Sequence, residues 1–433
     1  MNNTYLSKIE IADLLESQMS LMATSMQFPD KSFKQIFAEN NPHISQSQID
    51  QNYNVMQEIF LVFLAKKYFI SLYDITFKTY LKENDIPDSL VDDTIFAPDS
   101  NANDFSKADT INFIRNALCH NSTVEYCKFL VKDGSLCIEI DRTLKGKKFH
   151  VIFDASYLIN LINQLNHSTK LDITIIKKKK DFDLSKGNYL TQIKNNLFLR
   201  RILLSATQAE KNNTPLEDFV SKAEADGNFK DFKFTTLQAT RAYECVCEYL
   251  RKDRSLDPAK ILPYILRSTL PLSSVKFCEL KQLFCFEEHY LNGNLSYNDI
   301  CQEIKKEIEG QPTLFHKIRQ NYKNDESFIY ANYIDTEGIL FNASTIYFGY
   351  LFDSLITDET VKIGKKEIQK NKLRNSFEHS RYYPASKGTM IFCDWSTQDE
   401  LNMNWKVNIK IEDLTKFAKE YVSQLYKQQT NGQ

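Results

Sequence analysis

Arg115-Asn116-Ala117-Leu118-Cys119-His120 and Arg374-Asn375-Ser376-Phe377-Glu378-His379 are the two stretches around which this chain is organised. Both read R-N-x-x-x-H, and they lie near opposite ends of the 433 residues. Composition alone gives about 0.01 such matches by chance, so a pair calls for a common cause. Their surroundings repeat too. Ser106-Lys107-Ala108-Asp109 has the form of a capping box, and the helix it opens carries Ile111, Ile114, Leu118 and the first motif. Apolar runs at 128–131, 136–140 and 149–153, with turns at Asp133-Gly134 and Gly146, then read as a small β-meander. Asp154 is placed to cap a closing helix over 157–165. The second copy is expected to hold a basic helix over 364–379, strands at 389–395 and 403–409 around the polar turn 396–400, and a closing helix at 412–426.

Further outward, residues 9–26 read as a lead helix and 45–83 as one long or one broken helix. The most apolar run, 59–77, carries Lys66, Lys67 and Asp74 and is too short and too charged to span a bilayer, so it is expected in the core. Residues 85–104 have the Asp, Asn, Ser and Pro content of a loop, and 343–356 form an aromatic helix. Between the copies, about 171–332, several helical patterns match neither, among them 258–270 with Pro258 in its first turn. Lys177-Lys178-Lys179-Lys180 opens this region, and Arg200-Arg201 follows.

The 54 basic and 56 acidic residues leave a net charge of −2, so no overall field draws the chain to nucleic acid or membrane, and any such site is a local patch. Scarce glycine and proline, 11 and 10, disfavour barrels and sandwiches, while 22 Tyr and 30 Phe are enough to fill helical cores. The nine cysteines are odd in number and irregular in spacing, which fits free thiols in a reducing, cytoplasmic setting. Cys245 and Cys247 face different directions on a helix and make a poor zinc pair. Residues 1–20 lack a signal-peptide core.

The chemistry of the motif is more specific. Arginine holds a phosphate with a planar fork of permanent charge, and histidine moves a proton near neutral pH. On a straight helix Asn116 and His120 share a face, but Arg115 is turned from His120 by about 140°. Two copies packed together would bring two Arg, two Asn and two His into one cleft. Such a cleft suits RNA self-cleavage: one His takes the 2′-hydroxyl proton, another protonates the leaving oxygen, and the arginines offset charge on the phosphorane. No metal or other cofactor is required, and the products would carry 2′,3′-cyclic phosphate and 5′-hydroxyl ends. Lys366 and Lys370, in the basic helix, and Lys177, Lys178, Lys179 and Lys180 are candidates to guide an RNA backbone, although ordinary solvated surface accounts for the first two equally well and a plain charged loop accounts for the run of four better. Tyr382 and Tyr383 fit core packing better than base stacking. Glu378 stands where the first copy has Cys119, and a carboxylate there would make His379 the more readily protonated histidine.

R-N-x-x-x-H on a helix, with a further helix closing the unit, resembles the HEPN superfamily of prokaryotic defence ribonucleases. The resemblance covers roughly 45–166 and 331–427, and the strands after each motif depart from that family's helical pattern. With the strands read above, it gives the expectation of a mainly α fold: two HEPN-like helical bundles, each with a small β-hairpin or meander, plus a helical middle region. The units would be 1–168, 169–330 and 331–433. It makes Arg115, Asn116, His120, Arg374, Asn375 and His379 the catalytic set of a metal-independent endoribonuclease acting on single-stranded RNA. Two units in one chain also look like type VI CRISPR effectors, although this chain is smaller, and abortive-infection and toxin-type proteins are the other relatives the resemblance brings in. The active form would be an intramolecular pair, with a homodimer as a further arrangement. A regulator would hold it in check: a guide or antitoxin RNA, a protein antitoxin or a phage trigger. The rival readings are a non-catalytic RNA-binding scaffold, whose motifs only bind phosphate, and a nucleotidyl-acceptor module paired with a separate transferase.

Overall fold

The computed structural model describes residues 4–79, 91–120, 127–132, 135–144, 146–168, 293–300, 336–384, 389–395 and 405–431, together with 86 and 302. The Lys177–Lys180 run, Arg200-Arg201, the Cys245/Cys247 pair and the middle helices before 293 lie outside the described residues. The described part is mostly helical, with three small antiparallel sheets. No helix among the described residues is long and apolar enough to cross a membrane.

Numbered in chain order, the first elements are β1 (Thr4–Tyr5), α1 (Lys8–Gln27), α2 (Phe33–Asn40) and α3 (Gln46–Thr79). The helix α3 is the axis of the molecule. Every residue from 59 to 72 is buried, which is what a helix apolar on all sides requires. The expected core helix is therefore present, and its charges Lys66 and Lys67 are buried with it. The lead helix α1 opens on a capping box in which Ser7 Oγ accepts from the Glu10 N–H and the Glu10 carboxylate accepts from the Ser7 N–H. The short helix α2, not anticipated from sequence, is capped by Ser32 and holds the segment 293–300 through backbone bonds from Phe33 to Leu295 and from Lys34 to Gly293. Within that segment Tyr297 to Ile300 are helical.

The first motif closes α4 (Lys107–Cys119), which starts on the Ser106/Asp109 capping box read from sequence. The meander follows as β2 (Cys127–Lys132), β3 (Ser135–Leu144) and β4 (Lys147–Asp154), and β1 pairs with β2 as an extra edge. Gly146 takes the turn before β4 with φ 79°, where a side chain would be strained. Phe149, on the inner face of β4, is met edge-on by Phe105 and Phe113 at 5.2 and 5.4 Å between centroids, which fastens α4 to the sheet. Asp154 caps α5 (Ala155–Ser168), its Oδ1 accepting from the Tyr157 N–H at 3.0 Å. His150, given no role from sequence, bridges Asp99 and Glu139 at 2.6 and 3.1 Å and ties the loop to the sheet.

The second copy departs from its sequence reading mainly around its motif helix. The aromatic helix is present as α6 (Thr336–Tyr350) and widens into a π turn over Leu351–Leu355. The basic helix expected over 364–379 is not one element: β5 (Thr360–Ile363) and β6 (Lys366–Gln369) form a hairpin, and α7 spans only Lys370–Glu378. Val361, Ile363 and Ile368 are buried while their neighbours are exposed, a period of two that the basic composition obscured. Gly364 turns the hairpin with φ 58°, and a Cβ there would meet Asp413 at 2.7 Å. Then come β7 (Tyr382–Pro384), unread in the sequence, β8 (Thr389–Asp394), β9 (Trp405–Lys410) and α8 (Ile411–Asn431). Both motif helices thus lead into an antiparallel meander and a closing helix, as the repeat implied.

The two copies share one core. Their buried side chains form a continuous apolar cluster, with Phe63 of α3 between Phe129 of β2 and Tyr350 of α6 at 4.7 and 5.1 Å. Tyr347 and Tyr350 of α6 donate to Glu16 and to the Lys8 carbonyl of α1.

Candidate functional site

Each motif ends its helix on its histidine. His120 leaves the α4 geometry at φ −129° and ψ 42°, while its N–H still donates to the Asn116 carbonyl. His379 does the same after α7, and Ser380 follows in the left-handed region at φ 52° as the Arg381 N–H returns to the Ser376 carbonyl. Because the helix stops at the histidine, the 140° offset of a straight helix does not keep each imidazole away from the arginines.

The two motifs meet. The imidazoles of His120 and His379 lie 6.4 Å apart between centroids, tilted by 57°. Arg374, from the second motif, crosses to the first: its Nη1 donates to the Cys119 carbonyl at 3.1 Å and to His120 Nδ1 at 3.0 Å. The carbonyl bond satisfies one of the acceptors left over at a helix C-terminus, where a cation is also favoured. The imidazole bond fixes a tautomer. A guanidinium only donates, so His120 Nδ1 accepts and the ring proton sits on Nε2. Cys119 Sγ lies 3.8 Å from His379 Nε2.

His120 is held neutral. Burial, then the charges of Arg374, Arg115, His379 and Lys66, bring its pKa down to about 4. Arg374, Arg115 and Lys66 thus lie within electrostatic reach of the His120 ring. Arg115 is buried, donates to Asn116 Oδ1 at 3.0 Å and lies over the Tyr73 ring at 5.5 Å. Asn116 donates to Asn112 Oδ1, which also accepts from the Tyr73 hydroxyl. Asn375 points to Asp394, a carboxylate shared with Lys372 and Arg381 at 3.0 and 2.6 Å.

Beside the motifs lies a set of buried charges, Lys66, Lys67 and Glu378, whose partners the sequence did not show. Lys66 of α3 pairs with Glu378 of α7 at 3.6 Å. Lys67 donates to Thr345 Oγ1 at 2.5 Å and lies over the Tyr382 ring at 4.9 Å. Burial outweighs the attraction of Glu378 and lowers the Lys67 pKa to about 7. The expectation that Glu378 charges His379 loses its basis, since the carboxylate is turned into the core toward Lys66. Tyr382 is fully buried, as core packing requires, and the Tyr383 side chain lies outside the described residues.

Of the lysines suggested as RNA guides, Lys370 opens α7 four residues before Arg374 and is half-buried. Lys366 lies on β6 rather than on the motif helix and donates to the Asn408 carbonyl at 2.7 Å. Lys177, Lys178, Lys179 and Lys180 fall outside the described residues. Among the described residues, no group of three or more His, Cys, Asp or Glu is arranged to hold a metal ion. The signal that could have found the buried set was the pair of lysines in the most apolar run, because a charge in such a run needs a buried partner. Comparison with family models, with curated proteins and with solved structures returns no match for this chain.

Proposed function

We propose that the protein is a metal-independent endoribonuclease of HEPN type, its two units closing one active site. The observation that carries this reading is the crossing of the motifs: two imidazoles 6.4 Å apart, with the arginine of one motif bonded to the histidine of the other. The roles divide unequally. His120 offers an Nε2–H that can donate to a phosphate oxygen but has no free lone pair for a proton. His379 is therefore the base that takes the proton of the ribose 2′-hydroxyl. The 2′-oxygen attacks phosphorus, and the bond to the 5′-oxygen breaks. That oxygen is protonated from solvent, while Arg115, Arg374 and the His120 N–H offset the charge on the phosphorane. The scheme in which a second histidine protonates the leaving oxygen is set aside, because His120 is neutral at pH 7. Single-stranded RNA is the substrate class, and control by an RNA or protein regulator, in antiphage defence or a toxin-type system, belongs to the same proposal.

The test is incubation with single-stranded RNA in EDTA, beside an oligonucleotide carrying one 2′-deoxy position. Cleavage to 2′,3′-cyclic phosphate and 5′-hydroxyl ends, absent at the deoxy position, is the expected result. Binding without cleavage would instead favour the phosphate-binding scaffold.

A further inference from the structure

Asp353 is the least accountable charge in the core. It lies on the π turn Leu351–Leu355, is 2% exposed, and neither carboxylate oxygen has a hydrogen-bond partner. A carboxylate buried in this way costs stability. Widened helical turns of this type recur at functional positions. Cations converge on it: Arg374 Nη1 is 3.9 Å from Oδ1, and both Lys66 and Lys370 feel its charge. Glu378, Tyr350 and Cys127 share the same field. Lys66 has Glu378 as its ion-pair partner, whereas the partner of Asp353 is Arg374. The Arg374 Nη1 that faces Asp353 is the same nitrogen that bonds the Cys119 carbonyl and His120 Nδ1.

We propose that Asp353 is a positioning residue of this site: its carboxylate anchors Arg374 so that Nη1 stays on His120 Nδ1 and the Cys119 carbonyl, which holds His120 as the Nε2–H imidazole. It touches neither substrate nor reacting atom and acts through Arg374. The proposal rests on the ribonuclease reading for its catalytic consequence, but its structural half does not. A chain running Asp353, Arg374, His120 joins the π turn of one copy to the helix end of the other. The wider turn gives a reason for the carboxylate's place there, since it carries the side chain toward α7.

The experiment uses the full chain with 15N-labelled histidine, comparing the parent with Asp353→Asn, Asp353→Leu and Asp353→Glu. Nitrogen chemical shifts report which ring nitrogen of His120 carries the proton. The Asn and Leu variants fold with a lowered melting temperature, since Arg374 loses the buried carboxylate that faces it. The His120 shifts move toward the average of two tautomers, and kcat falls about tenfold to a hundredfold with KM little changed. Asp353→Glu recovers the single tautomer in part. An unchanged His120 signature in both Asn and Leu variants overturns the proposal, and so does failure of both to fold, which would make the carboxylate structural. If the parent cleaves no RNA while the tautomer shifts as described, the ribonuclease reading fails and the positioning role stands. Undiminished cleavage with an unmoved tautomer does the reverse.

Discussion

At His120, burial and the neighbouring cations act in one direction. Desolvation is the larger cause of its low pKa, and Arg374, bonded to Nδ1 at 3.0 Å, is the next. Protonating Nδ1 would set an N–H against an N–H, so the bond and the charge reinforce each other. Arg374→Met removes both, and the His120 pKa should rise from about 4 toward the ordinary histidine value, read by NMR titration. A midpoint that stays near 4 would assign the effect to burial and the remaining cations. The motif residues were legible because two rare matches in similar surroundings select them. Asp353 was not, because one Asp in an aromatic helix carries no pattern. Lys66 and Lys67 were visible as charges in an apolar run, but a sequence does not say which carboxylate or hydroxyl will meet them.

The helix α3 shows what such a charge does to an element. Lys67 is packed among Thr345, Tyr382, Lys66 and Glu378, and its folded pKa is about 7 against the usual 10.5. Between those values the unfolded chain binds a proton that the folded chain does not, so stability rises with pH across that window. The slope is at most about 1.4 kcal/mol per pH unit. Below pH 7 both states are protonated and the slope vanishes. Lys67→Met should be the more stable protein near neutral pH and should lose this slope, as denaturant titrations from pH 6.5 to 10 would show. Equal slopes in parent and variant would mean that Lys67 is charged throughout, or open to water. The long core helix, the capped α4 and the meander were legible for physical reasons: an unbroken apolar run, a Ser-x-x-Asp start and alternation around turn residues. The β5–β6 hairpin was not. Its lysines and glutamate resemble a solvated helix face, and only Gly364 between alternating apolar residues marks the turn.

Across the chain, the repeated unit was legible, but the depth of its closure was not. The copies do not merely touch at their motifs. They share the α3 core, where Lys66 from the first copy meets Glu378 from the second in an apolar interior. Breaking one partner of such a pair leaves a buried charge uncompensated, which binds the two halves to a common fold. Sequence periodicity reports which face of an element is apolar, not which distant element will cover it, so the shared core appears only in three dimensions. A single site made from both ends has a kinetic signature. Groups that act as a unit lose nearly all their effect when either is removed, and removing the second adds little. The most direct measurement is the rate of single-stranded RNA cleavage in EDTA by the parent, His120→Ala, His379→Ala and the double variant. One shared site requires each single variant to fall nearly as far as the double. Two independent sites would leave each single variant with about half the parent rate, a result that contradicts a composite centre.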